Sequence, residues 1–159
     1  MNTAILIPAR IGSTRFPDKP LKLLNGVPMI RRVYDRCLET GLDTFVLTDS
    51  RRIASLFPEG HVWVDDAPYE NGTERCAGAL SQDYLDKYDQ FVNVQGDEPF
   101  VDPKDINKLA NLAISKEANM VTLFASLNKK EFADKNVVKL WLGSDSLVKD
   151  FSRDISHLK

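Results

Sequence analysis

The chain has 159 residues, enough for one domain of ordinary size, and its 43% hydrophobic content is too high for a disordered segment. With 21 Lys and Arg against 23 Asp and Glu, the formal charge of −2 excludes a strongly basic nucleic-acid binder and a polybasic membrane surface, though not a local cationic patch. Two distant cysteines outside any metal spacing, and no apolar run long enough for a signal-peptide core or a membrane span, predict a soluble cytoplasmic domain without disulfides or structural metal.

Short β-rich runs at residues 3–8, 44–48, 61–64, 91–95 and 120–127 are nearly continuous in apolar side chains, which suits strands of a parallel sheet covered on both faces. Helical patterns lie between them. Met29, Ile30, Val33, Tyr34, Cys37 and Leu38 mark one stripe, with Pro28 fitting the first turn and Gly41 the stop. A second helix follows Thr73, with Cys76, Ala77, Leu80, Tyr84 and Leu85 inward and Thr73 as a candidate cap. A third starts with Asp102 as cap and Pro103 as first residue, burying Ile106, Leu109, Ala110, Ala113 and Ile114. Residues 137–142 and 147–151 flank Gly143-Ser144-Asp145-Ser146 and predict an antiparallel hairpin. The order argues for a layered α/β domain over residues 1–159, with a mixed, mostly parallel sheet.

The loop after the first strand is Pro8-Ala9-Arg10-Ile11-Gly12-Ser13-Thr14-Arg15-Phe16-Pro17-Asp18-Lys19-Pro20. It leaves the strand at its carboxyl end, where ligands sit in open α/β sheets. Arg10, Arg15 and Lys19 against Asp18 give it a surplus of positive charge, while Gly12, Ser13 and Thr14 offer donors to phosphate oxygens. Three prolines limit its unbound conformations. It matches neither a Walker loop nor the dinucleotide glycine fingerprint. A solvated basic loop is the alternative reading. Further on, Phe91-Val92-Asn93-Val94-Gln95-Gly96-Asp97-Glu98-Pro99 is a buried strand ending in Gln, Gly and two carboxylates. A carboxylate there is well placed to hold Mg²⁺, which takes one or two carboxylates plus substrate phosphates. A turn with two solvated acids is the alternative.

Taken together these stretches resemble the 3-deoxy-manno-octulosonate (Kdo) cytidylyltransferases, also called CMP-Kdo synthetases. The resemblance runs through Ile7-Pro8-Ala9-Arg10, Ser13-Thr14-Arg15, Lys19-Pro20-Leu21, Gly26-Val27-Pro28-Met29-Ile30, Thr48-Asp49, Gly72-Thr73-Glu74-Arg75 and residues 92–99. It continues more weakly through Asn136-Val137-Val138-Lys139 and Phe151-Ser152-Arg153. Each motif is modest alone, but the ordered set is specific and covers nearly the whole chain.

The resemblance implies a three-layer nucleotide-diphosphosugar transferase (Rossmann-like) fold. It also implies transfer of CMP from CTP to Kdo with Mg²⁺, releasing pyrophosphate for lipopolysaccharide biosynthesis. Arg10, Arg15 and Lys19 would contact the triphosphate and Asp97 would ligate the metal. Pro8, Ala9, Ser13, Gly72, Thr73, Arg75 and Gln95 would line the nucleotide. The Gln95 amide can match the cytosine edge or simply tie two loops together, and Arg75 can be a contact or a structural counter-ion.

His61 and His157 read as structural or solvated, Cys37 and Cys76 as small core residues, Trp63 and Trp141 as packing, and Arg51-Arg52 as an exposed helix face. Members of the family extend beyond the point where this chain ends, and that region supplies much of the sugar pocket and a second metal carboxylate. The expectation is therefore an enzyme completed by self-association or a second polypeptide, a CTP-binding remnant without turnover, or a nucleotidyltransferase with another acceptor. The first is favoured because the loop cations and Asp97 occur together.

Overall fold

The computed structural model describes residues 1–12, 16–115, 119–145 and 147–155. They fall into two compact units, Met1–Val121 and Thr122–Lys159. In the first unit, β1 (Thr3–Ala9), β4 (Asp43–Thr48), β5 (Val62–Val64) and β6 (Gln90–Asn93) form a fully parallel sheet in the order β5-β4-β1-β6. The minor strands β2 (Leu23–Leu24) and β3 (Val27–Pro28) make a tight hairpin. Its two central residues, Asn25 and Gly26, have φ of 49° and 78°, the left-handed pair that a two-residue turn requires.

β1 explains the layering. Ile5, Ile7 and Ala9 face one side with residues of α1 (Met29–Leu38), α2 (Arg51–Ala54) and α4 (Pro103–Ser115). Ala4 and Leu6 face the other with Cys76 and Ala79 of α3 (Gly72–Ala79), Phe45, Leu47, Leu85 and Tyr88. Successive strand residues point to opposite faces, so a run of apolar residues requires cover on both. The three predicted layers are present.

Several predicted details differ. The second helix ends at Ala79, so Leu85 is buried from a separate 3₁₀ turn, while Ala77, Leu80 and Tyr84 are exposed. Its inward residues are Arg75, Cys76 and Ala79. The cap is Asn71 rather than Thr73, its side chain accepting the Glu74 N–H at 3.0 Å. Asn leads Thr as a cap, and the competing apolar period hid it. Leu38 and Ile114 sit on the exposed edges of α1 and α4.

His61 is structural, its ring paired with the Tyr34 hydroxyl at 2.9 Å, whereas His157 lies outside the described residues. Cys37 and Cys76 are core residues, and burial pushes both thiols up to about 12. At neutral pH both should therefore resist alkylation in the native chain and react once it is denatured, as mass spectrometry would read. Rapid native labelling of either would contradict this packing.

In the second unit, α5 (Lys129–Ala133) opens on a capping box between Asn128 and Glu131. The predicted antiparallel hairpin is β7 (Lys139–Leu142) with β8 (Val148–Ser152), and it carries a bulge between Trp141 and Leu142. The Lys139 ammonium is buried against the carbonyls of Asp134, Val137 and Arg153. The strand predicted at residues 120–127 is absent. No described strand supplies the ladder that a sheet needs, and its apolar side chains are exposed apart from the half-buried Val121. No helix among the described residues is long and apolar enough to cross a membrane.

Candidate functional site

The chain steps from β1 to β4 and β5 on one side of the sheet and places β6 on the other side of β1. The carboxyl ends of β1 and β6 therefore flank a topological switch point, the position at which open α/β sheets form a crevice. An open cleft of about 330 Å³ lies there. It is lined by Pro8, Ala9 and Arg10 from the end of β1, Lys19 from the following loop, Gly72 and Arg75 from α3, and Gln95 and Asp97 from the segment after β6. Eight sequence-selected residues thus meet in one place. Thr73 is exposed on α3 and does not line the cleft, and Ser13 and Arg15 lie outside the described residues.

Two close approaches shape the cleft. A Cβ on Gly72 would lie 2.9 Å from Pro8 Cγ and 3.3 Å from Gln95 Oε1, so α3 begins directly against both neighbours. A Cβ on Gly96 would lie 2.8 Å from the Pro8 backbone oxygen and 3.1 Å from Ile30 Cδ1. Backbone cannot yield as a side-chain tip can. Gly96→Ala should therefore cost about 1–3 kcal/mol of stability, as overpacking does, and lower the melting temperature. An unchanged melting temperature would contradict the close approach.

Charge is arranged in pairs. Lys19 Nζ donates to Asp97 Oδ2 at 2.5 Å across the cleft, with both side chains close to half exposed. Arg10 is exposed and reaches the Glu70 carbonyl only at 3.5 Å. Gln95 Nε2 donates to Asn93 Oδ1 at 3.1 Å. Arg75 is buried: Nη1 donates to the Asp65 carbonyl at 2.7 Å, the guanidinium lies over the Tyr69 ring at 5.0 Å, and Nη2 lies 3.8 Å from Asp49 Oδ2. The Tyr69 hydroxyl bonds Asp65 Oδ2 at 2.7 Å. That bond first, and the Ala67 N–H second, hold the Asp65 carboxyl below its ordinary range.

Tyr69, Glu70, Asn71, Met29 and Pro20 also line the cleft; Met29 and Pro20 stand in the motifs quoted above, but none of the five was expected as a site residue. Asn71-x-x-Glu74 carried a readable capping signal, but Tyr69 sits in a loop with no pattern of its own. A second hollow of about 420 Å³ lies between α1 and α4. Its groups are already engaged: Arg36 holds Glu39 and the Val101 carbonyl, and Asp102 caps the Lys104 N–H.

The described residues contain no cluster of three or more His, Cys, Asp or Glu able to hold a metal by themselves. Asp97 nevertheless fits a hard divalent cation, because Mg²⁺ is commonly held by one or two carboxylates with substrate phosphates completing its oxygen shell. Glu98, beside it, is exposed and outside the cleft lining.

Comparison with known proteins is consistent with this geometry. A family model described as cytidylyltransferase matches residues 4–157. The 3-deoxy-manno-octulosonate cytidylyltransferase of Pseudoalteromonas atlantica is 39% identical over 158 residues, covering 96% of this chain and 62% of that protein. The 8-amino-3,8-dideoxy-manno-octulosonate cytidylyltransferase of Shewanella oneidensis is 40% identical over 160 residues, covering 96% of this chain and 65% of that one. A solved CMP:2-keto-3-deoxy-manno-octonic acid synthetase complexed with CTP superposes with a TM-score of 0.84 at 31% identity, covering 99% of this chain and 66% of that one. The chain thus spans somewhat less than two thirds of the length of these relatives. With the family model matched over almost all of its residues, the chain belongs to the cytidylyltransferase family.

Proposed function

We propose that this protein transfers CMP from CTP to an acidic sugar of the Kdo type, releasing pyrophosphate, with Mg²⁺ as the divalent ion and the cytoplasm as its setting. The observation that carries the proposal is the meeting of Arg10, Lys19, Gln95 and Asp97 in one cleft at the switch point. Support comes also from the relatives' names and from the CTP complex of the solved synthetase.

In this chemistry the sugar's anomeric hydroxyl attacks the α-phosphorus in line and the pyrophosphate departs opposite, so negative charge grows on the leaving group. Arg10 and Lys19 flank the cleft as donors to that charge, and Arg15 joins them by resemblance. Asp97 would hold the divalent ion, which when bound supplies positive charge to the α-phosphate. No protein nucleophile is required; positioning and electrostatics carry the rate. Pro8, Ala9 and Gly72 give the nucleoside a close-packed wall. Gln95 retains an amide oxygen and a further N–H beyond its bond to Asn93, a pair that suits the cytosine edge.

The test is pyrophosphate release from CTP and Mg²⁺ with a panel of acidic sugars, including Kdo and its 8-amino analogue. Release that depends on both CTP and one of these acceptors is the expected result. CTP uptake without release under any acceptor would contradict the transfer.

A further inference from the structure

The Thr48-Asp49 step belongs to a recognisable motif, yet nothing in the proposed chemistry uses Asp49, which does not line the cleft. Its surroundings are specific. Asp49 Oδ1 accepts the Ile11 N–H at 2.9 Å, at the beginning of the phosphate loop. Its other oxygen faces the buried Arg75 guanidinium at 3.8 Å. Arg75 in turn holds the Asp65 carbonyl and stacks on Tyr69, which forms part of the cleft wall.

Asp49 itself stands on a rigid support. The buried Thr48 hydroxyl accepts the Ser50 N–H at 3.1 Å, Ser50 caps α2, and the Asp65 N–H donates to the Thr48 carbonyl at 2.9 Å. A little further on, Arg52 reaches Asp18 at 3.4 Å near the far end of the same loop. The segment after β4 therefore touches the phosphate loop on both sides of residues 13–15.

We propose that Asp49 is a positioning residue for the triphosphate: one carboxylate oxygen fixes the start of the phosphate loop while the other aligns the Arg75–Tyr69 wall of the same cleft. The proposal rests on the nucleotide assignment above. It makes a prediction opposite in sign to simple electrostatics. An anion near a triphosphate site repels its ligand, so deleting Asp49 should tighten CTP binding if charge alone mattered. If the carboxylate positions the loop, deletion should weaken it, because the Ile11 N–H loses its charged acceptor and the loop samples other conformations.

The experiment is calorimetric titration of the wild-type chain, Asp49→Ala and Asp49→Asn with Mg²⁺–CTP and, separately, with CMP, beside thermal melts. Loss of one hydrogen bond to a charged group predicts about tenfold weaker CTP binding for Asp49→Ala. CMP lacks the β- and γ-phosphates and should lose only the smaller factor that the Arg75–Tyr69 wall contributes. Asp49→Asn preserves an oxygen acceptor for Ile11 and should lose CTP affinity by a smaller factor. Equal losses for CTP and CMP would mark a merely structural residue and overturn the proposal. So would wild-type or tighter CTP binding by Asp49→Asn, a readout that stands even if Asp49→Ala fails to fold. A wild-type chain that binds no CTP would instead overturn the nucleotide assignment, and the proposal with it.

Discussion

Asp97→Asn is expected to reduce turnover by a factor of about 10² to 10³ while leaving the fold intact, the scale seen when one charge-stabilising group is removed from an active site. Asparagine keeps the size of the side chain but removes its charge and one of its two oxygen acceptors. A hard divalent cation then loses the charge of the cleft carboxylate proposed to hold it. Stability should barely move, because the Lys19–Asp97 pair is close to half exposed and such pairs contribute only about 0–1 kcal/mol. The check is a comparison of pyrophosphate release with melting temperature. Activity within a few-fold of wild type would remove Asp97 from the proposed chemistry, and a collapse of the melting temperature would make its role structural.

Lys19→Met should act in two directions at once. Lys19 Nζ lies 2.5 Å from Asp97 Oδ2, so in the ligand-free chain the ammonium stands where a cation would approach the carboxylate. In the proposed chemistry the two groups would each serve the substrate only after exchanging partners, Lys19 to phosphate and Asp97 to metal. Methionine has similar length and no charge. Turnover of CTP should fall by roughly tenfold to a hundredfold, the worth of a charge-assisted phosphate contact. Binding of Mn²⁺ to the nucleotide-free protein should instead strengthen, because its competitor is gone. Electron paramagnetic resonance of free Mn²⁺ reads this directly. Unchanged or weaker Mn²⁺ binding by Lys19→Met would contradict the exchange of partners.

The sheet and its layers were legible because β1 and β4 are buried on both faces and carry unbroken apolar runs. The cleft was legible for a related reason: strand ends are easy to locate, and both Arg10 and Asp97 follow strands closely. Details set by tertiary contact were harder to read. Ala77 and Leu80 fit a helical stripe in the sequence, yet α3 turns Arg75 inward instead, since the loop after β5 offers that guanidinium a carbonyl and an aromatic ring. Residues 120–127 show the limit of periodicity most plainly. Val121, Leu123 and Phe124 have strand-like composition, but a strand exists only where another backbone pairs with it. Asp49 was visible as part of a motif, while its two-sided contact needed three dimensions.

The most direct measurement of the central claim is a crystal structure grown with CTP and Mn²⁺, using the anomalous signal of the metal to locate it. The expected result is one metal peak beside the Asp97 carboxylate, with the triphosphate running between it and the side chains of Arg10 and Lys19. Nucleotide bound elsewhere, or metal density remote from Asp97, would contradict the assignment of this cleft.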